Sequence, residues 1–222
     1  MKRSTFHGKT TVQHQPLGHR TIGAGKRLGA ATALDSAEVL ASHFPVLARY
    51  LGESRIRALA LDIYGAKVVS HPFNGARLKK FLAELSGAER FKLHPEIAEL
   101  ALLELSFRNA LEANNGALPL KLDTHGLERR KLRLHPSVQC LVFTQNTTSI
   151  WSALKCEETP PRPFKLDAPQ HVLVWRQNGL ARFRILGVDE AKALARFNTR
   201  SPNTSSYFRG WLDAGLVVES AK

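Results

Sequence analysis

The chain has 222 residues, 43% hydrophobic and 23% charged, near the averages of globular proteins and far from collagen, coiled-coil rods or wholesale disorder. Lysine and arginine number 32 against 19 acids, a formal charge of +13 that favours an anionic partner. Two cysteines exclude a disulfide scaffold and favour a reducing, cytoplasmic setting, and the absence of a long apolar run disfavours secretion and membrane spanning.

Residues 1–30 carry six basic side chains and no acid, with five glycines among them. Without apolar periodicity this stretch is expected to be a mobile basic arm, a candidate for contact with nucleic acid. His7, His14 and His19 fit no standard ligand pair, and no metal site is expected there.

The next stretch, 31–118, reads as an all-helical domain, and acids and bases balance at ten each over 31–112. From Ala30 to Leu51 the residues Leu34, Ala37, Leu40, Ala41, Phe44 and Leu47 recur at threes and fours, a helix interrupted near Pro45 and stopped at Gly52. Further helices are expected from Ser54 to about Val69, with Ile56, Leu59, Ala60 and Ile63 inward, from Arg77 to Leu85, and from Pro95 to Leu111. In the last, Ile97, Leu100, Phe107 and Leu111 share a stripe, Pro95 suits the first turn, and Asn114-Asn115-Gly116 closes it. Position 104 lies on the same stripe yet is a glutamate, and a buried carboxylate must be paired. It either contacts a partner or, as is favoured, pairs with an arginine or caps a neighbouring backbone.

Residues 119–222 change character. Short strands are expected at Leu132–Leu134 and Val138–Thr144, a brief helix at Ser149–Leu154, and a proline-rich connector over 159–169. Val172 to Arg176 and Leu180 to Leu186 flank Asn178-Gly179, a strong hairpin signal. Alternation puts Phe183 and Ile185 on one face of the second strand and Arg182 and Arg184 on the other. Helices follow at Asp189–Phe197 and Ser205–Ala214, then Gly215 as a left-handed stop before Leu216–Val218. The fold class is α+β, an N-terminal helical domain followed by a small α/β domain with a hairpin, similar in plan to peptide-recognition or winged-helix modules.

No phosphate-binding glycine loop, dinucleotide fingerprint, zinc-protease helix or nucleophile elbow occurs, so no catalytic constellation is found. His71-Pro72, His94-Pro95 and His135-Pro136 are read as segment boundaries. Cys140 and Cys156 are read as buried small hydrophobes. No cofactor or metal is expected in this chain.

Several motifs, taken in order and spacing, resemble a bacterial family that carries a DNA-binding-domain label. They are Phe44-Pro45 with Leu51-Gly52-Glu53, Asn74-Gly75 with Phe81-Leu82, Leu103-Glu104, Leu134-His135-Pro136 with Val138, and Ile150-Trp151. Val172 to Arg176, Asp189-Glu190-Ala191, Trp211-Leu212 and Ala214-Gly215-Leu216 complete the set. The resemblance covers about residues 34 to 217. Many members of that family look like partner subunits of TIM-barrel multinuclear iron oxidases that modify cysteines of ribosomally made peptides. The resemblance implies that the helical domain docks on the oxidase, which holds the iron, and that the C-terminal domain holds the precursor's leader peptide. Val174, Arg176, Arg182 and Arg184 are then the peptide-binding candidates, since a peptide can add as a strand to a sheet edge and arginines suit an acidic leader. Glu104, Arg108 and Trp151 are the docking candidates. Two departures stand out: the basic arm replaces a helix, and the span 198–206 is short for the extra helix that family places there.

The alternative is nucleic-acid binding through the basic arm, Arg129, Arg130, Lys131 and Arg133, with Arg209 as the base-reading candidate.

Overall fold

The computed structural model describes residues 36–64, 75–87, 89–114, 132–197 and 206–219. Helix and sheet are mixed, as an α+β chain requires. The residues gather into two compact units whose segments interleave. A helical unit takes the described parts of 36–105 and 144–167, and a sheet unit takes those of 106–143 and 168–219. This differs from the division into 31–118 and 119–222 expected from the sequence, and the expected arm at 1–30 lies outside the described residues. No helix among the described residues is long and apolar enough to cross a membrane.

In the helical unit, the first amphipathic run is split into α1 (Ser36–His43) and α2 (Pro45–Leu51). Proline has no N–H to donate, so it opens α2 rather than continuing α1. Gly52, at φ +77°, ends α2, and its N–H bonds the Ala48 carbonyl. Next come α3 (Glu53–Tyr64), α4 (Gly75–Gly87), a 3-10 turn (Glu89–Phe91), α5 (Pro95–Glu112) and, after a break in the sequence, α6 (Thr147–Lys155). Leu40, Phe44, Leu47, Ala60, Phe81, Leu85, Leu100, Leu103 and Ile150 form its buried interior. The rings of Phe44 and Phe81 lie 4.9 Å apart, a tilted pair that ties the α1–α2 corner to α4.

Three carboxylates of α5 tie this unit together, and one of them, Glu99, holds residues 144–147 to it. Glu96, almost fully buried, accepts from the Tyr50 hydroxyl at 3.3 Å. Glu99 accepts from the amides of Thr144 and Gln145 and from the hydroxyls of Thr144 and Thr147, so it ties the residues leading into α6 to α5. Glu104 accepts from the amides of Val46 and Leu47, both at 2.8 Å, and so fills the N-terminal turn of α2, where partial positive charge gathers. Arg49 of α2 completes the attachment by donating to the Leu154 carbonyl at the end of α6.

In the sheet unit, β1 (Leu132–Leu134) pairs antiparallel with β5 (Val217–Glu219). A separate sheet has the order β2 (Gln139–Gln145), β3 (Lys165–Gln177), β4 (Leu180–Leu186). The hairpin turns on Asn178 and Gly179, at φ +53° and +78°, the pair of left-handed residues a type I′ turn demands. β3 begins earlier than expected, and Pro169, assigned above to a connector, lies inside it. The ladder with β4 covers only His171 to Gln177. Because odd-numbered residues of β3 face β4, the nitrogen of Pro169 points past the end of β4, where a missing N–H leaves no ladder bond unmade.

One face of the hairpin packs under α7 (Val188–Phe197) and α8 (Phe208–Asp213), with Leu173, Trp175, Leu186, Leu194, Phe197 and Trp211 in a common core. The other face meets the last turns of α5, where Phe107 contacts Phe183 edge-on at 6.0 Å. α8 ends as predicted at Gly215, φ +70°: Leu216 N–H bonds the Trp211 carbonyl and Gly215 N–H bonds that of Leu212, the paired closure of a Schellman motif. The expected start at Ser205 lies outside the described residues, and α8 is shorter than expected. Leu111, assigned to the buried stripe of α5, is 43% exposed. Cys140 and Cys156, read as buried, are both exposed free thiols.

Candidate functional site

β4 ends its sheet among the described residues, and the hairpin geometry decides which backbone groups it leaves over. A two-residue loop makes Gln177 and Leu180 a hydrogen-bonded pair. Alternation then makes Trp175–Arg182 and Leu173–Arg184 bonded pairs as well, while Arg176–Ala181, Val174–Phe183 and Val172–Ile185 are not. The outward N–H and C=O groups of β4 therefore belong to Ala181, Phe183 and Ile185. The Arg176 amide fits this pattern, since it points away from β4 and donates to the Ser137 hydroxyl at 3.0 Å.

The four residues expected to bind peptide have different surroundings. Val174 is corrected: it is fully buried on the central strand, and its main chain lies between β2 and β4, so it offers nothing to an added strand. Arg176 donates to the Leu111 carbonyl at 2.7 Å, a cation on the C-terminal end of α5. Arg184 is held by both oxygens of Glu190, at 2.8 Å through one nitrogen. Glu190 also accepts from the Trp211 indole at 2.9 Å. Burial alone would raise the Glu190 carboxyl, but the Arg184 and Trp211 hydrogen bonds and the Arg184 charge outweigh it and hold the group below its ordinary value. Arg182 differs from both. Its Nε is buried with no hydrogen-bond partner, and among the described residues no oxygen pairs with its guanidinium.

The docking candidates are mostly engaged within the fold. Glu104 caps α2, the internal role favoured on sequence grounds. Trp151 is buried at 2% exposure, with the Lys155 ammonium 5.8 Å from its ring centre. Arg108 lies half-buried on the part of α5 that belongs to the sheet unit. Of the nucleic-acid candidates, Arg129, Arg130 and Lys131 lie outside the described residues. Arg133 sits on β1 opposite Val218, and Arg209 is exposed on α8, a helix of six residues.

A half-buried polar cluster missed by the sequence reading surrounds the start of β2. The ring nitrogen Nδ1 of His135 accepts from the Ser137 amide at 3.1 Å and lies 2.7 Å from its hydroxyl. Burial first, then the charges of Arg176 and Arg133, push the His135 imidazole below its ordinary value. Gln139 adds a bond to the Ser106 carbonyl on α5. The His135-Pro136 pair was visible as a boundary, but nothing local in the chain announces partners nearly forty residues on. No three His, Cys, Asp or Glu side chains converge as a metal site among the described residues.

No protein-family model matches the chain, and no curated protein matches it.

Proposed function

We propose that this chain is a non-catalytic partner protein that takes up the leader of a precursor peptide as a strand added to β4 and docks on a multinuclear iron oxidase acting on that peptide's cysteines. The observation that carries the reading is the edge of β4, where the outward backbone groups of Ala181, Phe183 and Ile185 can pair with an extended chain. The net positive charge of the chain favours an acidic leader, and the resemblance to the oxidase-partner family supplies the oxidase. Glu104 and Trp151 serve the helical unit internally, so the docking surface is sought elsewhere on that unit.

The test coexpresses the full chain with its neighbouring genes and adds to the purified chain any short peptide those genes encode. Residue-resolved amide exchange should slow at Ala181, Phe183 and Ile185 on adding the peptide, while the amides of Arg182 and Arg184, already bonded to β3, change little. Coexpression should copurify the oxidase. Unchanged exchange along β4 removes the peptide reading, and an oxidase that never copurifies removes the docking reading.

A further inference from the structure

The arginines of the hairpin are not equivalent, and the difference identifies a receptor for one particular side chain. Arg176 and Arg184 already have acceptors, the Leu111 carbonyl and the Glu190 carboxylate. The carbonyls at the end of α8 are also taken: that of Ala214 accepts from the Trp175 indole at 3.1 Å and that of Asp213 from the Gln177 amide group at 3.3 Å. Arg182, directly across the ladder from Trp175, is left with a buried Nε that bonds nothing among the described residues. Folded proteins seldom bury such a donor unmatched, and one beside an open strand edge is matched most simply by an incoming group.

We propose that Arg182 receives a carboxylate side chain of the peptide strand added to β4, and that this contact sets the peptide's register. The inference rests on the peptide reading and deepens it. The N–H and C=O of Arg182 face β3, so toward an added antiparallel strand it occupies a non-hydrogen-bonded position, where facing side chains approach most closely. A slip of one residue turns the acid to the opposite face of the sheet. A slip of two residues brings it opposite Arg184, whose guanidinium Glu190 already holds, or opposite Leu180, which has no charge. Only one register therefore pairs the acid with an unneutralised cation. The chemistry is a planar guanidinium donating two parallel hydrogen bonds to a carboxylate's oxygens, a geometry an ammonium does not reproduce.

The test selects peptides from a displayed library of random linear sequences against the full-length chain, then measures one resynthesised winner in a double-mutant cycle. Winners should share an Asp or Glu at one fixed place in an otherwise β-branched stretch. Changing that acid to its amide, or Arg182→Gln, should each weaken binding about tenfold or more, and the two changes together should cost little beyond either alone. Should Arg182→Gln fold poorly, Arg182→Met replaces it, since it removes the buried donor altogether. Peptides that bind without the acid, or a cycle without coupling, overturn the Arg182 assignment and leave the peptide reading standing. A library that yields no binder, or a chain that binds a double-stranded DNA probe in its place, overturns both.

Discussion

The guanidinium of Arg184 on β4 and the carboxylate of Glu190 on α7 face each other through two parallel hydrogen bonds, and this pair fastens α7 to the hairpin. Their side chains retain 32% and 12% of their exposure, so the pair lies between the nearly worthless surface bridge and the costly buried one. Arg184→Met should lower stability by about 1 to 3 kcal/mol, read by urea unfolding. The pH dependence has a definite sign. Glu190 is held below its ordinary value of 4.5, so its contribution is whole above that pH and is lost as the pH falls through the lower folded value. In Arg184→Met burial is left as the main influence, and the acid limb of the stability curve should move to higher pH.

His135 gives a second titration with its own sign. Its folded value lies below 6.5, chiefly through burial and then through the charges of Arg176 and Arg133. The unfolded chain therefore binds more protons just below that pH, and stability should decline as pH falls through 6.5 toward the folded value. Proton NMR of the imidazole should show the lowered value, and Arg176→Met should raise it only part of the way back, because burial remains.

Glu104→Ala leaves the amides of Val46 and Leu47 without their charged acceptor and should cost about 2 kcal/mol. Glu99→Ala strands two amides and two hydroxyls and should cost at least as much. Thermal melts measure both losses. Faster amide exchange should appear first in α2 for the former and at the start of α6 for the latter, and matching exchange maps would refute the assignment of separate anchors.

Gly179→Ala isolates the turn. Nothing lies within 4 Å of the added methyl carbon, so only the positive φ is penalised. A loss of about 1 to 2 kcal/mol is expected, visible as a lower melting temperature.

Local signals were legible where one short segment decides the structure. Pro45, Gly52, Pro95, Asn178-Gly179 and Gly215 each act through their own backbone chemistry, and the structure has a break, a stop, a start, a turn and a cap at these positions. Glu104 was legible in a different way, because a charge on an apolar stripe demands a partner even before that partner is known. The rest depended on how separate elements pack against one another. Arg184 looked available until Glu190 was placed beside it, and Val174 looked available until two strands enclosed it. Pro169 reads as a connector residue in isolation, since only the length of β4 shows that its nitrogen needs no partner.

The interleaving of the two units bears on how the molecule is made. On the ribosome, α1 to α5 emerge well before α6, so the nascent helices wait with Glu99 lacking the donors it later accepts from and Arg49 lacking the Leu154 carbonyl. Helical packing can finish only after Asp167 has been synthesised, although its first segment leaves the exit tunnel long before. Cutting the gene near residue 118 therefore separates two pieces that each lack part of their own interior, and the pieces should become soluble only when produced together.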